Sequence, residues 1–253
     1  MTDRSSTGVN SVRTAFEVLE AVGTLQPIGL SELSRRLATP KTTVQRSLAT
    51  LAELGWIRPD RRDRTRWVLG EAVRTLAQHV AADARLRKAA LPVLGELNAD
   101  TLETVHLSRA DGDELELVER MDSAHPLRYV LPIGSRGPLH ASASGKAVLA
   151  ALPDAEVERY LADGLRRLAA NTITDPGPLR AQLRRIRRRG WSSAEEELSD
   201  GIASVAACIR SAGGRPVAAL SISGPTARIT ARVRPHYGEL VRDAAARVAT
   251  QLR

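Results

Sequence analysis

The segment that most constrains this chain is 31–54, SELSRRLATPKTTVQRSLATLAEL. Its apolar residues keep a helical period on both sides of a Thr-Pro interruption. Leu30, Leu33 and Leu37 share one face of a first helix. Thr39 and Pro40 stop that helix and start the next, with Thr39 as N-cap and Pro40 at the first helical position. In the second helix Val44, Leu48, Leu51 and Leu54 form a stripe predicted to be buried, and Gly55 closes it. The opposite face near its start carries Lys41, Thr42, Thr43, Gln45 and Arg46, each able to donate a hydrogen bond to a phosphate or a base edge. Two amphipathic helices with a short turn also occur in ordinary helical bundles. The donor-rich start of the second helix instead fits a helix-turn-helix, whose second helix enters the DNA major groove by its N-terminal residues.

The residues just beyond Gly55 favour DNA binding. Trp56-Ile57-Arg58 and Arg66-Trp67-Val68-Leu69 read as two short strands around a polar turn. Arginines 58, 61, 62, 64 and 66 fall within nine residues. Such a hairpin suits a wing, with Arg61, Arg62 and Arg64 on the phosphate backbone. Ahead of the helix pair, a helix from Val9 places Val12, Phe16, Leu19 and Val22 on one face and is predicted to end at Gly23. Phe16, the one phenylalanine, is expected in the core of this small domain. The net charge is +8, and the excess is densest here: residues 1–70 hold 11 basic and 7 acidic side chains, the rest 26 and 22. The expected division is a disordered tail over 1–8, a winged helix-turn-helix domain over 9–70, a linker helix over 71–85 and a second domain over 86–253. In the linker helix Val73, Leu76, Ala77 and Val80 share a side suited to a partner subunit. Pro92 predicts a kink or break in a further helix over 86–99.

Bulk properties narrow the class. The single cysteine, Cys208, excludes an internal disulfide and a thiolate metal site. The first residues hold no apolar signal core, and no apolar run reaches the roughly 18 residues of a membrane span. The expectation is a soluble, cytoplasmic protein. Aromatics are only 3% of the chain, so its cores must be built from Ala, Val, Leu and Ile.

From Thr101 the pattern changes to strands. Thr104–Leu107, Leu115–Val118, Leu127–Leu131, 202–210 and 215–223 read as strands, with Asp111-Gly112-Asp113 and Gly213-Gly214 as turns. Helices are predicted near 145–151, 154–162, 178–189 and 233–252. The whole is an α+β domain with an antiparallel sheet. Ser221 and Ser223, two apart in a strand, direct both hydroxyls to one face. In the loop 133–146, the small residues Ala143, Ser144 and Gly145 let backbone N–H groups approach a ligand. If Gly145 opens the next helix, those groups suit an anion. A serine pair satisfied within an ordinary sheet is the alternative.

These stretches carry a resemblance over nearly the whole chain. SVRTAFEVLEAV, LSELSRRL, PKTTVQRSLATLAELGWI, ETVHL, PLHASASGKAVLAALP, TITD, RRRGWSSAEEELSDGIASVAACI and VAALSISGP occur in an order and spacing similar to the isocitrate lyase regulator (IclR) family of bacterial transcription regulators. The resemblance implies a winged helix-turn-helix joined by a helix to a GAF-like effector-binding domain, and homodimers or dimers of dimers on palindromic DNA. It implies an effector site around Tyr129, Ala143, Ser144, Gly145, Ala194, Ile202, Ser204, Ser221 and Ser223. Two positions depart from the family pattern: Ala194 stands where an acidic residue is common, and Ser204 where some members have cysteine. Without the acid, an anionic ligand meets less like-charge repulsion.

Catalytic motifs fail on inspection. Aligning Gly145-Lys146 with a P-loop puts His140 at the first glycine and Ala147 at the hydroxyl position. Ser142 and Ser144 lie in no nucleophile elbow. His106, His125, His140 and Cys208 show no ligand spacing. The run Glu195-Glu196-Glu197 reads as a solvated turn that the resemblance sets at a pocket edge or an interface. No catalytic residue, metal or cofactor is therefore expected. The reading is a sequence-specific DNA-binding regulator modulated by a small organic acid. A metabolite-processing enzyme with an incidental basic N-terminus, and an architectural DNA-binding protein, are the competing classes.

Overall fold

The computed structural model describes residues 9–252, apart from the side chains of 78–81. The expected tail, 1–8, and the side chain of Val80 lie outside the described residues. The chain divides into two compact units between Ala82 and Asp83.

The first unit contains α1 (Asn10–Leu25), β1 (Ile28–Gly29), α2 (Leu30–Arg36), α3 (Lys41–Glu53), β2 (Ile57–Pro59) and β3 (Arg66–Leu69). The strands form a small antiparallel sheet with β3 in the centre. Val18, Val22, Leu33, Val44, Leu48 and Ile57 meet in its core. Three expectations are corrected. Phe16 is 61% exposed, and Val12 and Leu54 are exposed with it. The packed stripe of α1 is Thr14, Val18 and Val22. Thr14 tolerates burial because its hydroxyl donates to Asn10 O at 3.0 Å. Helix α1 also passes through Gly23 to Leu25. Helix α3 begins one residue late: Pro40 holds the N-cap position with extended geometry, and the Thr39 hydroxyl donates back to Leu37 O at 3.0 Å.

Helix α4 (Glu71–Thr101) is continuous and contains Pro92, where a kink or break was expected. Pro92 and Lys88 both lie on its exposed side, so the Lys88 carbonyl that lacks a helical donor is open to water. Buried Ala90, Val93, Leu94 and Leu97 hold the opposite side. Leu76 and Ala77 are exposed.

The second unit continues with β4 (Thr104–Asp111), β5 (Glu114–Met121), β6 (Arg136–Pro138), α5 (Ala143–Ala151), α6 (Asp154–Ala162), α7 (Pro176–Arg189), β7 (Ser192–Glu195), β8 (Ile202–Arg210), β9 (Pro216–Pro225) and α8 (Arg234–Gln251). The antiparallel sheet runs in the order β6-β5-β4-β9-β8-β7. Val105, Leu107, Val205, Leu220 and Ile222 form one face, which packs on the C-terminal part of α4 and on α8. The other face is polar along one row: His106 pairs with Ser221, and Thr104 and Ser204 both pair with Ser223. Over this row the apolar cover, from Leu139, Leu149, Val157 and Leu179, is offset to one side and leaves a pocket.

Residues 127–131 are not a strand. The Leu127 carbonyl accepts from Arg228 at 2.9 Å, and the Leu131 carbonyl accepts from Arg120. Guanidinium donors thus replace a strand ladder along this segment. Strands β6 and β7, each short and poor in β-branched residues, carry no sequence signal strong enough to mark them. No helix among the described residues is long and apolar enough to cross a membrane.

Candidate DNA-reading surface and effector pocket

In the first unit the expected DNA-reading side chains are all on the surface. Lys41, Thr42, Thr43, Gln45 and Arg46 are exposed along the first turns of α3. Thr43 and Arg46 also line a groove of about 470 Å³ that runs against Val12 and Phe16 of α1 and Leu54 and Trp56 beyond α3. In the β2–β3 turn the acids serve the backbone. Asp60 accepts from Arg61 N at 2.8 Å, and Asp63 accepts from the Thr65 N–H and hydroxyl at 2.9 and 2.6 Å. The Thr65 bonds hold the Asp63 carboxyl below its usual range. Arg61, Arg62 and Arg64 are exposed and make no ion pair among the described residues. Arg66 differs: it donates to Pro27 O at 2.7 Å and pairs with Glu32 at 3.5 Å, tying the turn to the helices.

In the second unit a pocket of about 200 Å³ sits on the polar row of the sheet. Its floor is His106, Ser108, Ser204, Ser221 and Ser223, and the start of α5 contributes Ser142 and Ser144. Tyr129 and Leu131 reach in from the irregular segment. Ala194, Ile202 and the 197–199 turn complete the wall. The Tyr129 hydroxyl meets Ser199 Oγ at 3.3 Å across the pocket. Of the residues expected to bind effector, Tyr129, Ser144, Ala194, Ile202, Ser204, Ser221 and Ser223 are brought together here.

Ala143 and Gly145 are not part of the lining. Ala143 is buried against Ala147, Ala194 and Ala206. Gly145 packs so tightly on Leu139 that a Cβ would lie 2.1 Å from the Leu139 carbonyl oxygen. Its N–H is already taken by Ser142 Oγ, the N-cap of α5, at 3.0 Å. Gly145 therefore keeps a close backbone contact and does not offer an N–H to an anion.

His106 was missed at the level of sequence. It is almost completely buried, its ring is edge-on to Tyr129 at 6.0 Å, and Nε2 has no hydrogen-bond partner. Burial, aided by nearby Arg120 and opposed by Asp122, lowers its pKa to about 4, so the ring is neutral at pH 7. The signal was the alternation Thr104-His106-Ser108, which sets His106 on the same side as Ser221. His140, by contrast, is structural: Nε2 donates to Arg166 O at 2.9 Å, so Nδ1 accepts from the Tyr160 hydroxyl at 2.7 Å.

Of the three glutamates only Glu197 departs from the expected solvated run, Glu195 being exposed and Glu196 partly so. Glu195 pairs with Arg234 at 2.8 Å. Glu196, at φ +55°, accepts from Gly201 N at 2.9 Å. Glu197 is buried and holds Lys146, which is fully buried. Burial pushes the Lys146 pKa down and the Glu197 pKa up, and the mutual attraction opposes both. Arg136, the guanidinium at the pocket rim, is engaged by Asp111, Glu114 and Glu116. The wall is thus hydroxyls, a neutral imidazole and apolar groups, with its charges paired.

A helix-turn-helix surface on one unit and a ligand pocket on the other define a one-component regulator. Known proteins agree. The family model described as "Bacterial transcriptional regulator IclR C-terminal" matches residues 78–250, and the IclR helix-turn-helix domain matches 11–61. The regulator KdgR of Dickeya chrysanthemi is 32% identical over 99% of this chain and 82% of its own. The transcriptional repressor IclR of Escherichia coli is 31% identical over 95% and 89%. The Thermotoga maritima IclR structure superposes with a TM-score of 0.66 at 28% identity, covering 96% and 98% of the two chains. An IclR homologue from Microbacterium hydrocarbonoxydans, solved with 4-hydroxybenzoate, gives 0.63 at 28% identity, covering 96% and 99%. The chain belongs to the IclR family and is a transcription regulator with a DNA-binding helix-turn-helix and an effector-binding domain, not an enzyme.

Proposed function

We propose that this regulator binds a palindromic operator as a homodimer or a dimer of dimers in the cytoplasm, and that a small hydroxylated organic acid in the second unit modulates binding. Lys41, Thr42, Thr43, Gln45 and Arg46 read bases, and Arg61, Arg62 and Arg64 hold the backbone. One winged helix is a small footprint, and two related by a two-fold read two half-sites. The exposed apolar side chains Val12, Phe16, Leu54 and Leu76 support pairing through α1 and the 71–85 linker.

The observation that carries the ligand reading is the pocket itself. A cavity of about 200 Å³ holds one ring or a short chain, given that an engineered apolar cavity of about 150 Å³ takes benzene. Its donors are the serines, Tyr129 and His106, so a carboxylate is received by neutral donors rather than by an ion pair. The homologue solved with 4-hydroxybenzoate, a hydroxylated acid, supports the class. Calorimetry of the full-length protein against aromatic and short aliphatic hydroxy acids tests it. Binding that is lost in Ser221→Ala/Ser223→Ala and in His106→Phe supports the reading, and unchanged affinity in all of them rejects it.

A further inference from the structure

A second cavity lies behind the effector pocket, between α7, β7 and the start of α8. It has about 360 Å³ and is lined by Arg185 and Arg189 of α7, Ser193 and Glu195 of β7, and Arg234 of α8. Arg185 and Arg189 are four apart and share one helix face. Neither makes an ion pair among the described residues. Arg189 is instead fixed by neutral groups: Nε donates to Trp191 O at 2.6 Å, and its guanidinium stacks 3.5 Å over the Trp191 ring. Arg234 pairs with Glu195, but its Nε is buried without a partner. Glu197, which also lines this cleft, is neutralised by Lys146. Three guanidinia therefore face one carboxylate not held by a lysine, Glu195, and it engages only Arg234 among them.

We propose that this cleft is a second ligand site, for a dianionic phosphoryl group borne by a small metabolite. Planar guanidinium forks match phosphoryl oxygens in pairs, and a pre-positioned arginine stacked on an indole loses little freedom on binding. Burial and the nearby Arg185 charge both press on Arg189, lowering its pKa, and a bound anion relieves that repulsion. The site also reaches the effector pocket through one residue, because Glu197 lines both cavities. Arg185 and Arg189 lie near enough to Lys146 to bear on its charge, so an anion there changes the field at the Lys146–Glu197 wall. Occupancy of the two sites is then coupled reciprocally. This goes beyond the effector reading and does not depend on it.

The test is calorimetry on the full-length protein at fixed ionic strength, with inorganic phosphate and glycerol 3-phosphate as probes. Saturable binding is expected, tighter for the ester if a metabolite is the physiological source and equal if free phosphate is. Arg185→Gln, exposed and without packing duties, weakens it about tenfold or more, as does Arg189→Gln. Arg184→Gln and Arg188→Gln, exposed on α7 outside the cleft, leave it unchanged. Ser221→Ala/Ser223→Ala also leaves phosphate binding intact, which separates this site from the effector pocket. Heats that do not saturate, or equal losses in all four arginine variants, overturn the proposal. So does an Arg185→Gln variant that changes only the sedimentation of the protein.

Discussion

Lys146 Nζ lies 2.5 and 2.6 Å from the two carboxylate oxygens of Glu197, inside the second unit and away from water. Gln182 Oε1, at 2.9 Å, takes the third ammonium donor. The three side chains tie α5 to α7 and to the turn after β7. Together they form the partition between the effector pocket and the arginine cleft. Breaking such a pair is costly because the survivor is left charged and buried. Lys146→Met is expected to lower stability by roughly 3–5 kcal/mol in urea unfolding. Lys146→Met/Glu197→Leu should regain most of that loss. A double variant as unstable as the two single losses combined would show that the pair is not the unit that matters.

His106 gives a pH dependence with a definite sign. Its folded pKa, about 4, lies below the ordinary 6.5, so the unfolded chain binds the proton more readily. The associated stability is complete above about pH 6.5 and is lost as pH falls towards 4. About 2 kcal/mol of it should vanish between pH 7.5 and 5. Urea unfolding of the wild type and His106→Gln at both pH values checks this. The variant should lack that component, and parallel curves for the two proteins would refute the assignment.

The division of labour in the first unit predicts two kinds of operator defect. Gln45→Ala should cost roughly 1–3 kcal/mol on the preferred operator and relax one base position. Arg62→Ala should weaken all sequences alike and reduce the salt slope by about one. Competition binding against a randomised operator library separates the two outcomes.

Phe16 tests assembly apart from folding. Because it is 61% exposed, Phe16→Ser should change the melting temperature little while shifting sedimentation toward monomer and weakening operator binding. A large loss of stability with the dimer intact would return Phe16 to the core.

The effector pocket predicts additive, modest losses. Ser221→Ala and Ser223→Ala should each weaken the bound acid by about 0.5–3 kcal/mol, the more if its acceptor is charged. By linkage, the factor by which the bound acid changes operator affinity must equal the factor by which operator DNA changes affinity for the acid, in the wild type and in each variant.

The sequence by itself determined the local decisions. Helical period and the Thr-Pro stop placed the start of α3 to within a residue and the end of α2 to within two, and strand alternation set Ser221 and Ser223 on one face. These follow from short-range sterics and from two fixed periodicities. Motif order was enough to reach the family. Only the tertiary structure decided that α1 turns Thr14 and Val18 inward, rather than Val12 and Phe16, because period measures spacing and not direction. Tertiary packing alone also buried Lys146 on Glu197, 51 residues away, drew one acid of an apparent solvated run into a buried ion pair, and left His106 without a partner. Long-range pairing and desolvation depend on what the fold brings near, and no local pattern carries that information.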